Sequence, residues 1–208
     1  AKVGVGVAVA INVVNTDTKA WIEEGAMVTA GGLEITAGMF EVGEGEDAES
    51  INTFEAIAIS GAGSANIGVA GAAAINVVNN NALAYTPGDI HIVISEGSTA
   101  DGHVSIKAES TNESTTKAGA SITDAGEDSK VGVGLSFATG IMINQVLAYI
   151  DDNATIDGAV SDVTLEAKQE SNVVTEAQAG ASKPDGDSGA GVSVNGVVAR
   201  ASYQVKVG

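Results

Sequence analysis

Residues 3–13 read VGVGVAVAINV, and the reading of this stretch decides the fold. Val3, Val5, Val7, Val9 and Ile11 alternate with Gly4, Gly6, Ala8, Ala10 and Asn12. A period of two places one set on each face of a strand, whereas a helix would need a period near 3.6. The large face is β-branched and suits a pleated surface. The other face is made of the smallest side chains, so a second layer can approach it closely.

The stretch is not unique. Residues 10–15 and 74–79 both read AINVVN. Three blocks align: one from Val3 through AINVVNTDTKAWI, one from Ile67 through AINVVNNNALAYT, and one from Val131 through ATGIMINQVLAYI. Trp21, Tyr85 and Tyr149 stand 64 positions apart, and a fourth copy starts near Gly189. Each block also carries a short strand–turn–strand piece, with Gly31-Gly32, Asp101-Gly102 and Asp157-Gly158 as turn residues that tolerate positive φ. A Thr/Ser/Glu-rich segment that becomes Ala-rich follows, as in TEAQAGAS at 175–182, which its place in the repeat reads as strand. Insertions at 38–47 and 86–91 fall between pieces, and Pro87 and Pro184 fall in loops. Length variation confined to connections is what a stacked array tolerates.

These features predict an all-β chain, a right-handed parallel β-solenoid (β-helix) with about 64 residues per sequence repeat. The expected divisions are repeat 1 at 1–65, repeat 2 at 66–129, repeat 3 at 130–188 and a partial repeat 4 at 189–208. Four or five strands in each repeat would make two or three coils. The alternative is tandem small antiparallel β-sandwich modules. Because the chain starts and stops inside a strand pattern, it reads as a fragment of something longer, with ends that associate head to tail.

The composition fits thin layers. The 208 residues are 44% hydrophobic but only 3% aromatic, and 27 are Gly. Nine basic residues face 27 acidic ones, a net charge of −18. Nucleic acid, which must have its phosphates neutralised, is not an expected partner. No apolar run reaches the ~18 residues of a membrane helix, so no membrane insertion is expected. The absence of cysteine excludes disulfides, thiolate metal sites and Cys nucleophiles.

Chemistry-bearing residues are sparse. His91 and His103 have no evident carboxylate partner and read as surface or edge residues, which leaves no triad and no His-based zinc site. The Gly-rich VGVG and GAGSANIG stretches lack a Walker Lys–Ser/Thr pair and read as the crowded face of a strand. Asn12, Asn15, Asn76 and Asn79 read as structural residues at a strand end or bend, where Asn bonds its own backbone. In the third block Gly140 and Ile143 stand in their places. Trp21, Tyr85 and Tyr149 read as a packing position at repeat junctions, with an exposed sugar-binding row as the alternative. Four acidic loops, at 43–47, 124–128, 151–152 and 184–187, could wrap Ca²⁺, but none has EF-hand or GGxGxD spacing. No catalytic, cofactor-binding or metal residue is therefore assigned. Cofactors are expected to be none, with structural Ca²⁺ the lesser alternative.

Lys19-Ala20-Trp21-Ile22 and the Gly25–Ala37 piece resemble repeats of very large bacterial surface adhesins, the filamentous-haemagglutinin-like, leukotoxin-like and autotransporter-passenger proteins. In those repeats a Gly/Ala/Val strand ends in an Asn-rich turn. The resemblance implies a secreted or cell-surface, non-catalytic β-solenoid: an adhesin shaft, stalk or filament subunit. Its partners would be neighbouring repeats or copies of itself end to end. The alternative function is a glycan- or cell-surface-binding adhesin module. An enzyme of the kind β-helices host would need clustered carboxylates or basic residues, and nine scattered Lys/Arg do not supply them.

Overall fold

The computed structural model describes residues 3–38, 51–62, 67–97, 101–122, 131–181 and 189–207. Among them there is no helix, and three parallel sheets account for the architecture. The first sheet holds β1 (Val3–Trp21), β5 (Ile67–Thr86), β8 (Val131–Ile150) and β11 (Gly189–Val207), in that order. The second is short, with β2 (Met27–Ala30), β6 (His91–Ile94) and β9 (Thr155–Gly158). The third holds β3 (Leu33–Ala37) and β4 (Asn52–Ala62), both paired to β7 (His103–Ile122), then β10 (Asp162–Ala181). The chain visits the sheets in the same order on each circuit, and every described strand pairing is parallel. The antiparallel sandwich alternative is thereby overturned.

Register places like on like. In β1 and β5, Ala10 pairs with Ala74, Asn12 with Asn76, Asn15 with Asn79 and Trp21 with Tyr85, each pair offset by 64 positions. The same offset joins β5 to β8. The step from β8 to β11 is shorter, since Gly132 pairs with Gly189. In the third sheet β3 and β4 together do what β7 does alone. Ala37 pairs with Ala108 and Asn52 with Asn112, so 38–51 interrupts a strand that β7 runs straight through. The 38–47 insertion falls mostly outside the described residues, as does Pro184; Pro87 follows β5 directly.

Three expectations need correction. The Asn residues do not end a strand: β1 and β5 run 19 and 20 residues through them, and β8 is as long without them. Because the strands are that long, one return to the first sheet consumes the whole 64-residue offset, so two or three coils do not fit within it. The strand–turn–strand pieces, in turn, are corners rather than hairpins. Asp101 (φ 54°) and Gly102 (φ 69°) turn the chain from the second sheet into the third, and Gly158 (φ 94°) does so one circuit later.

The interior tapers. Even-numbered residues of β5 face inward: Ala70, Ala72 and Ala74 are buried against Ala58, Ala118 and Ala120 of the third sheet. There the first and third sheets nearly touch, since a Cβ on Gly6 would lie 2.0 Å from the Gly61 carbonyl oxygen. At the other end of the same strands the sheets diverge toward the short second sheet. Ile90, Ile92, Ile94, Val104, Ile106 and Val146 fill the wider space. Gly and Ala line the inward face where the sheets meet, and larger Ile and Val side chains fill the end where they part, so side-chain volume follows the local width.

The corner between the first and second sheets repeats as well. Gly25 (φ 75°), Asp89 (φ 57°) and Asn153 (φ 65°) occupy equivalent positions. Ala26 and Ala154 donate back to the carbonyls of Glu23 and Asp151, which makes Gly25 and Asn153 the third residue of a four-residue turn. That position accepts Gly, Asn or Asp because left-handed backbone costs other residues about 1–2 kcal/mol. Asn153→Ala is expected to lower stability by about 1 kcal/mol and Asn153→Gly to leave it unchanged within a few tenths. Urea unfolding of the two variants checks this.

Candidate functional site

Midway along the long strands, between the alanine layer and the isoleucine layer, lies a polar band. Asn76 is fully buried. It donates to the Phe54 carbonyl (3.1 Å) and to Ser114 Oγ (3.0 Å), and it accepts from Asn12 Nδ2 (3.0 Å). Asn80 donates to Ser110 Oγ and Asn112 Oδ1, and Asn112 also accepts from Asn52 and donates to Ser110. One circuit on, Asn144 donates to Ser171 Oγ at 2.6 Å. Phe54, Val78 and Met142 pack between these amides. Gly140 replaces the Asn12–Asn76 column because its space is taken: a Cβ there would meet Thr175 Oγ1 at 2.6 Å and Thr116 Oγ1 at 3.2 Å.

Asn15 and Asn79 belong to the opposite, outward face and pair with one another at 3.0 Å. Asp17 and Asn81 continue the outer ladder at 2.9 Å. All four asparagines singled out in the sequence form cross-strand amide ladders rather than turns. Asn80, Asn112 and Asn144 carry as much of the band and escape a reading of the sequence alone. The signal for Asn80 and Asn144 was the 64-residue offset itself, which sets Thr16, Asn80 and Asn144 in one column.

Trp21, Tyr85 and Tyr149 also form an outward column. The Trp21 and Tyr85 rings lie 6.3 Å apart at 9°, and those of Tyr85 and Tyr149 4.9 Å apart at 4°. Stacking occupies ring faces and leaves mainly edges to solvent. Burial, with the Tyr85 and Asp151 charges adding, pushes the Tyr149 hydroxyl above its ordinary value. A sugar platform needs open ring faces, and here only the two end faces of the column, on Trp21 and on Tyr149, are left without a stacked ring.

The two histidines do have carboxylate partners. His91 Nε2 lies 2.9 Å from Asp157 Oδ2, and His103 Nδ1 is hydrogen-bonded to Asp162 Oδ1. The partners are 66 and 59 positions away, in the next circuit, which is why inspection of neighbouring sequence does not find them. Both pairs are about half exposed. Ser161 Oγ donates to the same Asp162 oxygen at 3.2 Å. This is not a triad: the hydroxyl bonds the carboxylate instead of an imidazole nitrogen that could take its proton. The pairs tie adjacent circuits together.

The hydrogen bond from His103 holds the Asp162 carboxyl below its ordinary value, with Ser161 adding and desolvation opposing. A depressed carboxyl stabilises the fold above its unfolded value, near pH 4, and that contribution is lost as pH falls through the depressed folded value. Asp162→Asn is therefore expected to flatten the acid side of the stability profile while leaving the neutral side nearly level. Urea midpoints from pH 2 to 7 check it.

Of the acidic loops, only Asp151-Asp152 lies among the described residues, and there the Asp151 carboxylate accepts from the Asp152 backbone N–H. No three His, Asp or Glu side chains gather among the described residues.

The outward faces differ in kind. The third sheet carries cross-strand ion pairs, Lys168 with Glu109 and Lys117 with Glu176. The first sheet presents Val3, Val5, Val7, Val9, Ile11 and Val13, each more than half exposed. No family model, no curated protein and no solved structure matches the chain.

Proposed function

We propose that the chain is a length of β-solenoid that serves as a non-catalytic shaft of a bacterial surface protein, an adhesin stalk or filament segment. The observation that carries this reading is the stacking of like on like: Ala74 on Ala10, Asn76 on Asn12, Tyr85 on Trp21. An array of this kind gives every circuit an edge that the next one completes, so length is gained by repetition alone. Some titratable groups join circuits, as in His91–Asp157, His103–Asp162 and Lys168–Glu109. The adhesin-like sequence pattern at 19–37 supports the outer surface of a cell as its place. The glycan-binding alternative has less support, since the stacked rings offer a sugar mainly their edges.

Inserting a second copy of residues 67–130 tests the shaft. Strands in a sheet lie ~4.8 Å apart, so one more circuit should lengthen the particle by about 5 Å at unchanged cross-section. Small-angle scattering reads both quantities. A gain of some tens of ångströms, as a separate globular module would give, contradicts the reading. Antibody against the chain should label intact cells of the source bacterium, and label seen only after lysis contradicts the surface location.

A further inference from the structure

The outward rows of the first sheet from Val3 to Val13 continue through Ile67–Val77 on β5 and through β8 as far as Ile141. No position of these rows is charged on any of its four strands, in a chain of net charge −18. Charge returns just beyond them, at Asp17, Lys19 and Arg200. Four strands ~4.8 Å apart and eleven residues at ~3.3 Å each give a flat apolar area of roughly 700 Å². Isolated apolar side chains on a surface need no explanation, but a contiguous patch of this size marks an interface.

The relief of the face indicates what covers it. Gly71 and Ala73 on β5 make a shallow groove, flanked by Val7 and Val9 on one side and by Leu135 and Phe137 on the other. Leu135 and Phe137 are 49% and 42% exposed and form a ridge. Groove and ridge stand at the same height, because Gly71 pairs with Leu135 and Ala73 with Phe137. A two-fold axis lying in the face, parallel to the strands and midway between β5 and β8, sets the ridge of each copy over the groove of the other. The same axis sets β1 over β11, so all four strands are covered. This is the self-complementarity that an isologous contact requires.

We propose that a second copy of this chain packs face to face on the first sheet, as an aligned sheet-on-sheet dimer in which the stacks of circuits run in opposite directions. Two such faces bury roughly 1,400 Å² in total, within the range of stable pairwise interfaces. The uncharged face lets two strongly acidic molecules meet without apposing like charges.

Sedimentation equilibrium of the whole chain at 0.15 M salt, from about 1 to 200 µM, is the test. The expected result is a monomer–dimer equilibrium that levels at two copies. Phe137→Glu should weaken it at least ~100-fold by placing an unpaired charge in the centre of the contact. Val7→Glu, on a side chain 74% exposed, should weaken it too and is the second variant should the first misfold. Gln145→Glu, on the same strand but outside the apolar rows, should change it by less than about threefold. Far-UV circular dichroism of the variants should match the parent. A monomer at every concentration, a mass that climbs past two copies without levelling, a dimer indifferent to both Phe137→Glu and Val7→Glu, or equal loss in Gln145→Glu would each overturn the proposal.

Discussion

Replacing Asn76 by alanine is expected to lower stability by about 3 kcal/mol, and the same replacement at Asn79 by less than about 0.5 kcal/mol. The two residues are three apart in sequence and both are amides in a ladder. They differ in what their loss leaves behind. Asn79 faces water, which can replace its bond to Asn15. Asn76 is fully buried, and its removal strips a partner from the Phe54 carbonyl, the Ser114 hydroxyl and the Asn12 amide at once. Buried groups left unpaired cost about 1–3 kcal/mol each before relaxation, and some recover other partners. Urea unfolding followed by far-UV circular dichroism separates the two variants. Equal effects would mean that the polar band is open to water.

The largest expected effect is at a corner. Gly102→Val is expected to cost about 4 kcal/mol or more, a large fraction of the roughly 5–15 kcal/mol that stabilises an ordinary domain. Gly102 has φ +69°, and a Cβ on it would lie 2.2 Å from the Ala159 carbonyl oxygen and 3.1 Å from the Ser161 nitrogen. Those atoms are backbone of the next circuit and cannot rotate away. The residue also relays register between circuits, donating to the Gly31 carbonyl and accepting from the Ser161 N–H. Its neighbour provides the contrast. Asp101 has φ 54°, so Asp101→Gly is expected to be neutral or slightly stabilising. Thermal unfolding of the pair is the check. A Gly102→Val protein as stable as the parent would contradict the close approach of circuits at this corner.

Some of this was legible in the sequence. The alternation of Val3 to Ile11 with Gly4 to Asn12 shows strand, and the Gly/Ala face announces the near contact of two sheets, met at Gly6 and Gly61. Three things were not legible, because each depends on pairing between residues far apart in sequence. Asn is a turn former by local propensity, but in a stacked array its partner is the same amide one circuit away. That long-range bond outweighs the local preference and keeps β1 and β5 straight. The carboxylate partners of His91 and His103 are likewise distant in sequence and adjacent in space. The choice between hairpins and corners at Gly31, Asp101 and Asp157 depends on where the following strand pairs, which a four-residue signal does not encode.

Residues 64 positions apart are neighbours in a parallel sheet. The chain has no cysteine, so introduced pairs report without interference. Asp17 and Asn81 are outward-facing register partners on β1 and β5. Neighbouring strands bring their Cα atoms within the ~4.4–6.8 Å that a disulfide accepts. Asp17→Cys combined with Asn81→Cys is expected to oxidise to an intramolecular disulfide in the monomer. Asp17→Cys combined with Tyr85→Cys, four residues out of register, should stay reduced. Peptide mapping by mass spectrometry reads both. A disulfide in the second pair and none in the first would contradict the register on which the whole account rests.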